Sequence, residues 1–272
     1  MTAIDTQQIA LARSVLDSGG NWKAAADAVG VSWQRLWTAV RDRSAPGHPN
    51  PRQLTETWRP ASLDALVGQQ EAVALLGAFL ADPYPAALLL EGPTGTGKTS
   101  AALIVARSLG CDVEQGEFGG LHQITSGDQS VDTVREIGRR MQMLPMIGSG
   151  WKVFIVNEAD RIHRAAEVLW LDLLEALPSR TVVIFTTNDA NRLAPRFADR
   201  CERIGFTGDP EAVRTDTENF ARRLWRTYTG GAIPAGVLAD VMAASERDGQ
   251  ISFRRTVQAV ARAIRLNRKD GV

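Results

Sequence analysis

Eight consecutive residues carry the strongest chemical signal in this chain: Gly92-Pro93-Thr94-Gly95-Thr96-Gly97-Lys98-Thr99. They fit the phosphate-loop pattern G-x-x-x-x-G-K-[ST] at every fixed position. Glycines let the backbone curl until successive N–H groups face phosphate oxygens, and a following helix adds the positive end of its dipole. Pro93 through Ser100 would cradle the phosphates, Lys98 would reach the β- and γ-phosphates, and the Thr99 hydroxyl would ligate Mg²⁺. The pattern predicts binding of a nucleoside triphosphate.

A second chemical element ends the apolar run Val153-Phe154-Ile155-Val156, which is followed by Asn157-Glu158-Ala159-Asp160. A carboxylate at a strand tip helps hold Mg²⁺, and the next acidic residue polarises the attacking water. Glu158 is the candidate general base. Asn157 takes the metal-side position, where its amide oxygen can accept a hydrogen bond from a metal-bound water but brings no charge. A third run, Val182 to Thr186, leads into Thr187-Asn188, and Asn188 is a candidate to hold the attacking water. Arg200 is a candidate to stabilise the transferring phosphoryl group in a neighbouring subunit.

These residues need elements to position them. Apolar runs over residues 87–90, 121–125, 151–157, 181–186 and 203–206 read as strands of a parallel sheet covered on both faces, alternating with helices. From Asp209 onward the strand signals vanish, and helices are predicted over 211–227, 235–245 and 252–267. Pro46, Pro49 and Pro51 mark a linker over 44–56. It divides an N-terminal module, 1–43, from a nucleotide-binding domain, 57–207, and a helical domain, 208–272.

Composition sets the outer limits. A 272-residue chain with 44% hydrophobic and 23% charged residues is ordinary for a globular protein. Its net charge is zero, so binding to nucleic acid must come from local patches. Cys111 and Cys201 are its only cysteines, a usage that argues against a disulfide scaffold or zinc site and suits a reducing cytoplasm. The amino terminus lacks the order of a signal peptide, and no apolar run approaches the length of a membrane span.

The region from Thr57 to about Asn267 resembles an AAA+ ATPase core, closest to the clamp-loader branch (replication factor C and the bacterial clamp-loader subunits). The residues that carry the resemblance begin with Trp58-Arg59-Pro60 and Leu66-Val67-Gly68-Gln69, like that branch's "RP…VGQ" lead-in. The phosphate loop follows, then Thr125-Ser126-Gly127-Asp128 with Val134-Arg135. Asn157-Glu158-Ala159-Asp160 resembles the "DEAD" box, Thr187-Asn188 the sensor 1 element, and Asp199-Arg200-Cys201 the "SRC" finger. Gly249 to Gln258 is similar to the sensor 2 helix. The resemblance implies that Val67 and Gly68 border the adenine, that Arg200 acts in trans, and that Arg254 touches the γ-phosphate from the helical lid.

Three departures stand out. Asn157 replaces an aspartate, which speaks against fast hydrolysis. Asp199 replaces the serine of the finger and is expected to hold Arg200 in an ion pair. The helical collar that assembles such subunits is not seen after the lid, so the expectation is a different assembly or a collar from another subunit.

The N-terminal module reads as three short helices, over 4–16, 22–29 and 32–40, resembling a helix-turn-helix with Gly30 at the turn. Its third helix would present Gln34, Arg35, Thr38 and Arg41 to base edges or phosphates; a small bundle for protein docking is the alternative. A basic run from Arg254 through Lys269 reads as a solvated helix face, with nucleic acid or a subunit as the other reading.

Three functional readings follow. The leading one is an ATP-driven subunit acting in DNA replication within an oligomer of AAA+ subunits on DNA, with a sliding clamp or replicative helicase as further partner. The second is a helicase loader or transposition-type regulator. The third is a nucleotide-dependent scaffold on DNA that hydrolyses ATP poorly, for which Asn157 is the best support.

Overall fold

The computed structural model describes residues 11, 15, 22–32, 51–124 and 130–267. The chain divides into two units, Met1–Pro49 and Asn50–Val272. In the first, helix α1 (Trp22–Val29) buries Ala25, Ala26 and Val29, with Val15 and Val31 packed against them. Gly30 then turns the chain at a φ of 68°. Most of the helices expected over 4–16 and 32–40 lie outside the described residues, as do Gln34, Arg35, Thr38, Arg41 and residues 125–128.

The second unit opens with α2 (Pro51–Thr57), which corrects the expectation of a linker through residue 56. A proline is well tolerated at the first position of a helix, where its missing N–H has no partner to lose. Tertiary packing supplies the rest: Leu54 is buried in one cluster with Phe220, Trp225 and Ile264.

The core continues through α3 (Gln70–Ala81), β1 (Ala86–Glu91), α4 (Lys98–Ser108), β2 (Leu121–Ile124), α5 (Val131–Met141), β3 (Lys152–Val156), α6 (Arg164–Glu175), β4 (Thr181–Thr187), α7 (Pro195–Ala198) and β5 (Glu202–Gly205). The five strands form one parallel sheet in the order β2-β3-β4-β1-β5. Successive side chains on a strand point to opposite faces. Leu88, Leu90, Val153, Ile155, Val182 and Ile184 therefore pack with α3 and α4, whereas Leu89, Phe154, Val156, Val183 and Phe185 pack with α5, α6 and α7. Burial on both faces explains why the strands read as unbroken apolar runs.

This order also gathers the chemistry. Strands β3, β4 and β1 are neighbours and run the same way. The phosphate loop after β1, the 157–160 box after β3 and Asn188 after β4 therefore emerge together at the carboxyl edge of the sheet, where such folds place their ligands.

The chain then enters the lid: α8 (Pro210–Thr229), α9 (Ala235–Ser245), β6 (Glu246–Arg247), β7 (Gln250–Ile251) and α10 (Phe253–Asn267). The antiparallel pair β6–β7 corrects the reading of helices alone after Asp209. Its turn residues, Asp248 and Gly249, have φ of 52° and 69°, the left-handed pair that a tight hairpin requires. Ile251 N donates to Gly208 O at 2.7 Å and anchors the hairpin to the segment that leaves the core. Among the described residues, no helix is long and apolar enough to cross a membrane.

Candidate nucleotide-binding site

The phosphate loop owes its shape to two close approaches. Gly92 sits at a φ of 142°, and a Cβ there would run into the Phe206 carbonyl oxygen; a Cβ at Gly95 would strike the Ser252 hydroxyl of the lid. Only glycine fits either place. Gly97, at a φ of 110°, forms the N-cap of α4, so the first backbone N–H groups of that helix face the loop's interior.

Lys98 opens α4 and is 7% exposed. Its ammonium donates to Gly92 O at 2.6 Å, Pro93 O at 2.8 Å and Asn188 Oδ1 at 3.0 Å. All three ammonium protons thus have acceptors inside the protein. Burial, with the nearby Arg254 charge adding to it, pushes the Lys98 pKa down to about 8, and Asp160 opposes the shift.

Thr99 donates its hydroxyl to Asn157 Oδ1 at 3.1 Å, and Thr186 donates to the same oxygen at 3.2 Å. The Thr99 oxygen keeps its lone pairs for a cation while its proton points to Asn157. The Thr99 hydroxyl is a hard-oxygen donor that fits Mg²⁺, while Asn157 Oδ1, which already accepts two hydrogen bonds, orients that hydroxyl and leaves the charge to the phosphates.

Glu158 adopts left-handed backbone angles, φ 56° and ψ 51°. For a residue with a side chain this costs about 1–3 kcal/mol, and such strain gathers at functional positions. Arg161 N donates to Glu158 O at 3.0 Å, and the two side chains form an ion pair at 3.2 Å. Asp160 accepts from the Thr187 hydroxyl at 3.1 Å, which ties the segment after β3 to the end of β4.

A cavity of about 350 Å³ joins these groups, within the range of small-molecule sites. Of the residues singled out from sequence, Val67, Thr94 to Ser100, Asn157, Glu158, Asn188 and Arg254 line it. Gly68 and Pro93 do not: Gly68 packs under Val213 at a φ of 66°, and Pro93 contributes its carbonyl to Lys98. Arg200 lies apart, paired with Glu175 at the end of α6 rather than with the adjacent Asp199. Sequence neighbours suggested Asp199; the fold brings in a carboxylate 25 residues away.

Sequence reading missed the apolar lining of the cavity, Trp58, Phe220, Phe253 and Val257. Trp58 donates its indole N–H to the Tyr228 hydroxyl at 3.0 Å and meets Phe220 edge-on, and Phe220 in turn meets Phe253. These residues come from α2's exit, α8 and α10, and only the folded lid brings them together. Gln69, quoted only for its resemblance, is buried and clasps Thr207 through two hydrogen bonds of 2.8 and 2.9 Å. It ties the lead-in to the segment leaving β5.

Residues 68–210, more than half of the chain, match the family model described as DNA polymerase III, delta subunit. The chain is 29% identical over 170 residues to the replication factor C small subunit of Picrophilus torridus, covering 62% of this chain and 53% of that protein. It is 30% identical over 175 residues to replication factor C subunit 3 of Saccharomyces cerevisiae, covering 64% and 50%. Against the DNA polymerase III subunit tau of Bacillus subtilis it is 29% identical over 171 residues, covering 56% and 30%. The chain thus spans about half the length, or less, of these relatives. Among solved structures, a Thermotoga maritima RuvB variant superposes with a TM-score of 0.61 at 17% identity, over 79% of this chain and 68% of that one, and so shares the fold. With its parallel sheet, phosphate loop and helical lid, the chain belongs to the DNA polymerase III delta-subunit family, in the clamp-loader branch of AAA+ proteins.

Proposed function

We propose that this chain binds and hydrolyses ATP as one AAA+ subunit of a clamp-loader-like oligomer working on DNA. The observation that carries the reading is the convergence of Lys98, Thr99, Asn157, Glu158, Asn188 and Arg254 on one cavity with an apolar, aromatic side. The base packs among Val67, Trp58 and Phe253, and the phosphates run along the loop toward Lys98 and Arg254.

Lys98 moves from Gly92 O, Pro93 O and Asn188 Oδ1 onto the β- and γ-phosphates. Asn188 is released by that step and becomes free to orient water. Glu158 takes the proton of the attacking water. Thr99, with Asn157 orienting its hydroxyl, would hold Mg²⁺, which would supply positive charge to neutralise the phosphates. Arg200 serves a neighbouring subunit. Asn157 adds no charge beside the metal, so turnover is slow.

An apolar patch supports a protein partner. Phe118, Met143, Leu144, Met146 and Ile147 are all exposed, and Met146 N and Ile147 N both donate to Phe118 O at 3.1 Å. These residues precede β2 and β3, so they lie at the sheet's amino edge, away from the phosphate loop. A grouped apolar surface of this kind marks a docking face for another protein.

The direct test is Glu158→Gln. An amide cannot take the proton, so turnover falls at least ~100-fold while ATP affinity stays unchanged. Wild-type protein that binds Mg·ATP well yet shows no turnover, with or without primed DNA, would replace this reading with the scaffold reading that Asn157 favours. Asn157→Asp is the complementary change. Two hydroxyls would then donate to a carboxylate beside the cation, and the ratio of ATP affinity with Mg²⁺ to that in EDTA rises, with turnover several-fold faster. Slower turnover would mean that the site is tuned around a neutral residue.

A further inference from the structure

Arg200 follows α7 and is gripped from the side. Its Nε donates to Glu175 Oε1 at 3.0 Å, Nη2 donates to the same oxygen, and Nη1 lies 3.5 Å from the Arg196 carbonyl. A guanidinium carries five N–H donors in one plane. Three are engaged here, Nε and Nη2 along one edge by Glu175 and Nη1 on the other side by the Arg196 carbonyl, and two remain to meet a ligand.

Glu175 is well placed to set where those two point. It is the last residue of α6, whose Trp170 meets Phe185 of β4 edge-on with centroids 5.1 Å apart. Phe185 meets Phe197 of α7 at 4.9 Å. These three buried rings lock α6, the strand that leads to Asn188, and the short helix before Arg200 into one frame. The side chains of Arg200 and Glu175 are 38% and 56% exposed, and an exposed pair of this kind adds little to stability. What it does add is direction, because the guanidinium of a long, rotamer-rich arginine is held in one orientation with two N–H groups left over.

We propose that Glu175 is a positioning residue that aims Arg200 at the active site of the neighbouring subunit. The proposal rests on the reading that Arg200 acts in trans. It makes no contact with nucleotide itself. Its effect appears in the neighbour's rate and not in nucleotide binding by its own chain.

Mixed assemblies separate the two ideas. An Arg200→Ala chain keeps its own Lys98 and Glu158 but offers no finger. A Glu158→Gln chain cannot hydrolyse but offers Arg200. Their mixture, with co-assembly confirmed by a tag on one chain, regains turnover if Arg200 works in trans. Adding Glu175→Ala to the donor, Glu158→Gln, lowers the regained kcat at least tenfold with KM for ATP unchanged. The same change in the acceptor, Arg200→Ala, leaves the rescue as it was. Glu175→Gln in the donor keeps the accepting oxygen without its charge and restores part of the rate. Rescue that is unaffected or raised by Glu175→Ala in the donor overturns the positioning role. A parent mixture that does not assemble, or assembles without turnover, overturns instead the reading that Arg200 serves a neighbouring copy.

Discussion

Lys98→Ala is expected to lose nucleotide binding by at least ~100-fold. In the folded chain the ammonium is buried and spends its three protons on Gly92 O, Pro93 O and Asn188 Oδ1. A triphosphate offers charged acceptors in their place, and hydrogen bonds to a charged group are worth about 1.5–3 kcal/mol each. Losing two amounts to about 3–6 kcal/mol, hence the expected drop. Equilibrium titration with a fluorescent ATP analogue reads it directly, and a thermal melt of the same sample checks that the loop still folds. Undiminished binding by a folded variant would sink the phosphate-loop assignment.

The same lysine predicts a pH dependence with a definite sign. Its pKa is lowered to about 8, chiefly by burial, and a bound phosphate raises it again. Binding therefore takes up a proton once the free protein has lost it. Affinity is full below about pH 8 and falls as pH rises through that value, by up to tenfold per unit. Lys98→Arg stays charged throughout, so its affinity, lower from the start, is flat over the same range. A wild-type affinity that held steady from about pH 7 to about 9.5 would contradict the lowered pKa.

Much of this arrangement was legible because it is local. Burial on both faces turns parallel strands into apolar runs, and a phosphate loop needs glycine and lysine at fixed spacings. The motif and its supporting sheet could therefore be read together. The hairpin β6–β7 was missed although its signal was present: Asp248-Gly249 is a strong hairpin dipeptide, hidden because each strand has only two residues. Helix α2 was missed for the opposite reason. Its proline argued for a linker, and it is held by Leu54 packing into a lid that lies more than 150 residues further along the chain. The role of Asn188 was half legible. Its place at the strand tip pointed to the γ-phosphate region, but its bond to Lys98 depends on two loops meeting across neighbouring strands. Trp58, Phe220 and Phe253 were the least legible, since three aromatics on three elements look like ordinary core until the lid closes over them.

The remaining large effect belongs to Arg200. If it completes a neighbour's active site, Arg200→Ala chains should bind ATP normally yet hydrolyse it at least ~1,000-fold more slowly, because an arginine finger contributes about three to five orders of magnitude in rate. Nothing in the chain's own cavity changes, since Arg200 is not among its lining residues. Binding and turnover should therefore separate cleanly: a titration shows unchanged affinity while phosphate release collapses. The reference is Lys98→Ala, where binding and turnover fail together, and Glu158→Gln, where turnover alone fails but within the same chain. Only the Arg200 defect can be repaired from outside, by a partner whose own site is dead. Weakened ATP binding by Arg200→Ala, or turnover within a few-fold of wild type, would assign this arginine to packing at the end of α6 and remove it from the chemistry.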